Sequence, residues 1–236
     1  LVKEDRKKFR REVQIVFQNP FDTFDGRYSI GQTLTRTLKI HNIGEGQDER
    51  NRICKDLLEN VGLKPAEEYL NRYPHELSGG QLHRISILRA MMLNPKFIIV
   101  DEPVSMLDVS VRAEILNLLK DLTSQNNTSM IFISHDVSVT RYVSNRIAVM
   151  YLGRIVEVGF ADDIVINPKH PYTQALISYC GELDPHAIKE ELYIEGEPPT
   201  PINPGPGCYF APRCFKACKK CFEAYPEKKK LDNGHI

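Results

Sequence analysis

Leu77-Ser78-Gly79-Gly80-Gln81, followed fifteen residues later by Phe97-Ile98-Ile99-Val100-Asp101-Glu102-Pro103, decides how this chain is read. The first stretch is a small, polar loop that opens a helix. Ser78 offers a hydroxyl, and Gly79 and Gly80 offer unobstructed backbone N–H groups. The helix N-terminus behind them favours an anion. The second stretch is an apolar strand that ends in two carboxylates, which are costly to bury. An Asp in that place can hold Mg²⁺, usually through water, and the Glu after it can act as a general base on a water. Read singly, Ser-Gly-Gly is a turn and Asp-Glu-Pro is the end of a strand. The two at this spacing and in this order form a specific signal.

Strand and helix patterns alternate around these stretches. Val13-Gln14-Ile15-Val16-Phe17 is β-branched and apolar, and Gln18-Asn19-Pro20 ends it as a turn. A short helix is expected over Ile30–Ile40. Asp48 to Val61 is helical by period, with Ile53, Leu57, Leu58 and Val61 on one face, Asp48 as N-cap and Gly62 as the stop. Leu82 to Leu93 continues the glycine loop as a helix. Val111 to about Thr123 reads as a helix, Ser129–Ser134 as a strand, and Asp136–Val143 as a short helix. Arg146–Met150 and Arg154–Val158 read as a hairpin turning at Gly153. Strand–helix alternation over 96–150 implies a mostly parallel sheet covered on its faces. The charged run Lys3–Glu12 reads as a solvated helix face.

Composition narrows the function. Lys+Arg and Asp+Glu both total 31, so nothing global argues for nucleic acid or an anionic membrane as the main partner. No apolar run approaches the roughly 18–20 residues that span a bilayer. No secretory signal is visible, which points to a cytoplasmic chain. Residues 196–207 hold five prolines and three glycines and read as a linker or extended arm. The composition changes character after about Asp184. Four of the six cysteines follow the arm, spaced Cys208-x5-Cys214-x3-Cys218-x2-Cys221. Four thiols in that span suit Zn²⁺ or a [4Fe–4S] cluster. Cys54 and Cys180 read as ordinary buried residues, and His83 as part of a solvated helix face.

Leu77–Gln81 with Asp101-Glu102-Pro103 resembles the signature loop and Walker B strand of ATP-binding-cassette (ABC) ATPases. Ser105-Met106-Leu107-Asp108 is similar to the family's D-loop. His135 stands where the family keeps its switch histidine, and Gln18 where it keeps the Q-loop glutamine. Within the family the chain looks most like the ATP-binding subunits of dipeptide and oligopeptide (peptide/nickel) importers. Asp101 to Ser110, Asn167-Pro168-Lys169-His170-Pro171-Tyr172-Thr173-Gln174-Ala175-Leu176, and the tail from Gly207-Cys208 through Pro212-Arg213-Cys214 to Cys221 carry that match.

The resemblance implies an α/β fold: a partial ABC ATPase (P-loop NTPase) domain over 1–160, with a helical subdomain at about 28–93. An importer-type, Pro/Cys-rich extension would occupy 161–236. It implies that Glu102 and His135 are catalytic, and that Gln18, Asp101 and Asp108 serve nucleotide and Mg²⁺. Leu77, Ser78, Gly79, Gly80 and Gln81 would act on the ATP of a second, homologous ATPase subunit. Cys208, Cys214, Cys218 and Cys221 would be metal ligands, with [4Fe–4S] known in some relatives and Zn²⁺ the alternative. The implied cofactors are ATP and Mg²⁺. The implied partners are two permease subunits and, indirectly, a substrate-binding protein, at the cytoplasmic face of the membrane.

The family's phosphate loop, Gly-x-x-x-x-Gly-Lys-Ser/Thr, is absent. Gly26-Arg27-Tyr28-Ser29-Ile30-Gly31-Gln32-Thr33 approaches it, but Gln32 replaces the lysine and the stretch follows the wrong strand. The family would place the loop upstream of Leu1. The chain therefore reads as the C-terminal part of a longer protein, with negligible turnover when alone. A soluble ABC ATPase outside transport and a non-catalytic interaction module are the rival readings.

Overall fold

The computed structural model describes residues 3–180, 192–200 and 202–236. The charge run forms an exposed helix, α1 (Lys3–Glu12), which passes directly into β1 (Val13–Val16). The described chain divides into two units, Leu1–His135 and Asp136–Ile236. The change of character near Asp184 lies outside the described residues.

In the first unit β1, β2 (Phe97–Asp101) and β3 (Ser129–Ile133) form a parallel sheet in the order β1-β2-β3. Its register aligns Ile15, Ile99 and Ile131 in one row and Val16, Val100 and Phe132 in the next. Side chains alternate between faces. Val16, Ile98 and Val100 are buried, whereas Ile15, Ile131 and Ile133 are 44–50% exposed. One face of these three strands is thus buried, and apolar residues on the other are partly exposed.

Between β1 and β2 lie α2 (Ile30–Ile40), α3 (Gln47–Asn60), α4 (Ala66–Asn71) and α5 (Gly79–Met91). Their apolar stripes meet in one core of Ile30, Leu34, Leu38, Leu58, Leu82, Ile85 and Leu88. Each such side chain contributes about 1.5–3 kcal/mol on burial. Gly46, not Asp48, caps α3. Asp48 sits in the first turn instead, where its charge meets the positive end of the helix dipole. α6 (Val109–Gln125) follows β2 and is two residues longer at each end than its periodicity predicts.

The near-match to a phosphate loop has a local explanation. Ser29 Oγ accepts from Gln32 N and Gln32 Oε1 accepts from Ser29 N, at 3.3 and 2.9 Å. Gln32 is thus engaged in the capping box that starts α2.

The second unit holds α7 (Val137–Val143), the hairpin of β4 (Arg146–Tyr151) and β5 (Arg154–Phe160), α8 (Ala161–Ile166), α9 (Pro171–Ser178) and the short α10 (Lys219–Glu223). Ile147, Val149 and Ile164 form its core, with Tyr172 and Leu176 packed against them. Ile236 extends the hairpin by exchanging backbone bonds with Val158 at 2.9 and 2.8 Å. The described part of the proline-rich arm is neither helix nor strand. Among the described residues no helix is long and apolar enough to cross a membrane.

Candidate functional site

Parallel pairing brings the carboxyl ends of β1, β2 and β3 side by side, the edge at which open α/β sheets bind ligands. Gln18 lies two residues past β1. Asp101 ends β2, Glu102 follows it, and His135 lies two residues past β3. The register pairs Asp101 with Ile133, and Glu102 N donates to Ile133 O at 2.9 Å. The chain then turns sharply: Glu102 has φ +45°, the left-handed region. A non-glycine residue there stores on the order of 1–3 kcal/mol of strain, which neighbouring bonds must offset.

That turn aims the Glu102 carboxylate at His135. Glu102 Oε1 accepts from His135 N at 3.0 Å and lies 2.7 Å from His135 Nδ1. The Glu102 side chain is 18% exposed and that of His135 is 78% exposed. One carboxylate oxygen is thus held in place beside an imidazole that reaches into solvent. Asp101 is partly exposed at the same edge. The structure therefore brings Gln18, Asp101, Glu102 and His135 to one end of one sheet. Carboxylates at such an edge are the donor type that a hard divalent cation takes, and a carboxylate beside an imidazole is a pairing suited to proton transfer.

Leu77–Gln81 forms a separate feature. The glycine loop is the first turn of α5, which begins three residues earlier than periodicity predicts because Ser78 and Gln81 make a capping box. Ser78 Oγ accepts from Gln81 N at 3.3 Å, and Gln81 Oε1 accepts from Ser78 N at 3.0 Å. Packing restricts Gly80, while Gly79 has room for a side-chain carbon. A Cβ on Gly80 would lie 2.8 Å from Val111 Cγ1, and one on Gly79 would meet Leu107 Cδ2 at 3.9 Å. The loop therefore rests on the start of α6. Arg84 of α5 and Glu114 of α6 form an ion pair, and Asp108 is the N-cap residue of α6. Next to Asp108, Met106 and Val109 are 69% and 80% exposed.

His83 corrects its expected place on a solvated face. It is 2% exposed, its Nδ1 has no hydrogen-bond partner among the described residues, and burial pushes its pKa below the ordinary value. α5 is surrounded by apolar groups on more than one side, so a single amphipathic stripe does not describe it. Sequence reasoning also missed Arg89. Its guanidinium lies 4.4 Å from the Phe24 ring centroid and donates to Thr23 O at 2.8 Å. An arginine inside the apolar run Ile85–Leu93 was the available signal.

The second unit holds a buried polar centre around Glu157. Glu157 on β5 is 2% exposed. It accepts from Lys169 N and His170 N at 2.7 and 2.9 Å, and lies 2.6 Å from His235 Nε2. The carboxylate thereby shapes the Pro168–Pro171 turn that opens α9. Phe210, 1% exposed, packs edge-on against Tyr151 and Tyr172.

The cysteine-rich tail folds back on itself. Cys208 N donates to Cys221 O at 2.7 Å, and a side chain on Gly207 would collide with Cys221 O. Cys218 and Cys221 bring their sulfurs to 3.5 Å, and Cys214 Sγ accepts from Lys216 N. Among the described residues, however, no three or more His, Cys, Asp or Glu side chains are gathered to hold a metal ion. The metal centre expected of Cys208, Cys214, Cys218 and Cys221 is therefore not supported by this arrangement, in which Cys218 and Cys221 form a sulfur pair. Cys180 is partly exposed rather than buried, unlike Cys54.

The ABC transporter family model matches residues 1–105, and the model of the oligopeptide/dipeptide transporter C-terminal region matches residues 156–221. The dipeptide transport ATP-binding protein DppF of Haemophilus influenzae is 44% identical over 96% of this chain and 68% of its own length. Among solved structures, CbiO1 of Clostridium perfringens, part of the ABC transporter complex CbiONQ, superposes with a TM-score of 0.60 at 25% identity. That match covers 70% of this chain and 63% of CbiO1. The ATP-binding cassette MJ0796, in a dimeric state bound to ADP and Pi, gives 0.59 at 26% identity over 68% of each chain. This chain belongs to the ABC transporter ATP-binding family, in its dipeptide/oligopeptide branch.

Proposed function

We propose that this chain is the ATP-hydrolysing subunit that powers peptide import, and that the Glu102–His135 pair at the sheet edge is its hydrolytic centre. The carrying observation is the 2.7 Å approach of His135 Nδ1 to Glu102 Oε1 at the ends of two adjacent parallel strands. ATP and Mg²⁺ supply the phosphoanhydride and the charge that neutralises it. Glu102 takes a proton from water, and His135 holds the carboxylate's orientation and faces the terminal phosphate. Asp101 and Gln18 serve the cation, and Asp108 lines the approach to the nucleotide. The N-terminus of α5, with Leu77, Ser78, Gly79, Gly80 and Gln81, meets the phosphates bound by a second ATPase subunit.

Segments 20–60 contact a coupling helix of the permease, whose two subunits are supplied with peptide by a binding protein. The subunit lies at the cytoplasmic surface of the membrane. A [4Fe–4S] cluster or Zn²⁺ at the cysteine tail rests on donor chemistry alone. Iron, zinc and sulfide analysis with visible absorbance of purified protein tests it, and metal-free protein of normal stability removes it.

ATP turnover by the transporter that carries this chain tests the main reading. Glu102→Gln should lower kcat by about 10²–10⁴-fold, the range of general-base catalysis. Wild-type turnover in that variant would remove Glu102 as the base.

A further inference from the structure

Ser105 joins two of the groups just assigned. Its Oγ donates to Glu102 O at 3.0 Å and accepts from Gln18 Nε2 at 3.3 Å, and its N–H points to the same carbonyl at 3.4 Å. Gln18 and Ser105 are 87 residues apart in sequence, and Ser105 is half-buried where they meet. Glu102 is the residue held at φ +45°. Its N–H is tied to Ile133 O and its carbonyl to Ser105, so the strained turn is held from both sides. The carboxylate reaches His135 only while that turn keeps its shape.

A hydroxyl carries one proton and two lone pairs. While the Gln18 amide donates to Ser105 Oγ, the serine's single proton is directed to Glu102 O. When Gln18 turns away, the hydroxyl is free to rotate and its hold on Glu102 loosens. The hydroxyl therefore ties the position of Gln18 to the orientation of Glu102.

We propose that Ser105 is a positioning residue for ATP hydrolysis, coupling Gln18 to Glu102 through its hydroxyl. This rests on the reading of Glu102 and His135 as the hydrolytic centre. Ser105 acts by fixing the peptide that carries the base, not by contact with the nucleotide.

The test is a double-mutant cycle in the assembled transporter. Ser105→Ala should lower kcat about tenfold with the KM for ATP unchanged, because it misaligns a base without removing a binding contact. Ser105→Thr keeps the hydroxyl and should recover most of the rate. Combining Ser105→Ala with Gln18→Ala should cost no more than the more damaging single change, the mark of two residues in one path. Multiplicative losses, a change in KM alone, or a threonine as impaired as the alanine would overturn the proposal. Hydrogen exchange of the His135 amide, which donates to Glu102, reads the same path without turnover. Ser105→Ala and Gln18→Ala should each speed it, and no change in either would overturn the proposal even if Glu102→Gln leaves hydrolysis intact and the site reading itself fails.

Discussion

The guanidinium of Arg89 stacks 4.4 Å from the Phe24 ring centroid and donates to Thr23 O at 2.8 Å, pinning the signature helix to the segment that follows Gln18. Burial pushes the Arg89 pKa down, yet the aromatic face and the carbonyl give the cation a place to sit. Arg89→Ala removes the stack and orphans a carbonyl. It should cost about 2–3 kcal/mol, read as a lower denaturant midpoint at unchanged slope.

Gly80 meets Val111 where α5 crosses the start of α6. Gly80→Ala gains about 1 kcal/mol of helix propensity but forces a Cβ to 2.8 Å from a stiff, β-branched side chain. Overpacking costs about 1–3 kcal/mol, so the overpacking wins. The variant should melt lower than wild type, and ATP turnover in the transporter should fall as the loop is pushed off its seat.

Glu157 and His235 meet 2.6 Å apart with side chains 2% and 7% exposed. His235→Ala leaves the carboxylate to two backbone amides and should cost about 2–3 kcal/mol in denaturant unfolding. With Glu157→Gln already in place the same change should cost clearly less, because no buried carboxylate is then stranded.

His83 makes stability depend on acid. Burial holds its pKa below the ordinary 6.5, so the unfolded chain takes up the proton first. The stability it confers is present above that ordinary value and is lost as pH falls through it. His170 is pushed down by burial against an opposing pull from Glu157. His41 is pushed down by burial and by the charges of Lys7 and Arg11. Melting temperature should therefore be flat above about pH 7 and fall below about pH 6. His83→Leu, which removes both the titration and the orphaned Nδ1, should flatten that fall.

Cys54 is fully buried, and burial raises its pKa to about 12. In native protein it should be the last cysteine to react with a thiol reagent, and exposed Cys218 among the first, as mass spectrometry of partially alkylated protein would show.

Much of the architecture was legible because it is local. The short apolar, β-branched runs Val13–Phe17 and Phe97–Val100, and the three-to-four spacing through Asp48–Val61, report elements that form within a few residues. Caps were less legible. α3 starts from Gly46 rather than Asp48, and α5 starts at Gly79, because the Ser78–Gln81 box recruits the glycines into its first turn. The partly exposed sheet face and the ungathered cysteines depend on what lies across from them, which periodicity does not report.

By itself the sequence determined the order of the parts: a strand ending in Gln18, a glycine-opened helix, a strand ending in Asp101-Glu102, and a strand leading to His135. Tertiary structure decided what those parts do to one another. Gln18 finds Ser105 across 87 residues, Glu157 finds His235 across 78, and Arg89 finds Thr23 across 66. Strand register, sheet order and helix packing set these meetings. A residue's own neighbours in sequence carry no record of them, so the buried His83, the left-handed Glu102 and the hydroxyl bridge of Ser105 emerge only once the chain is folded.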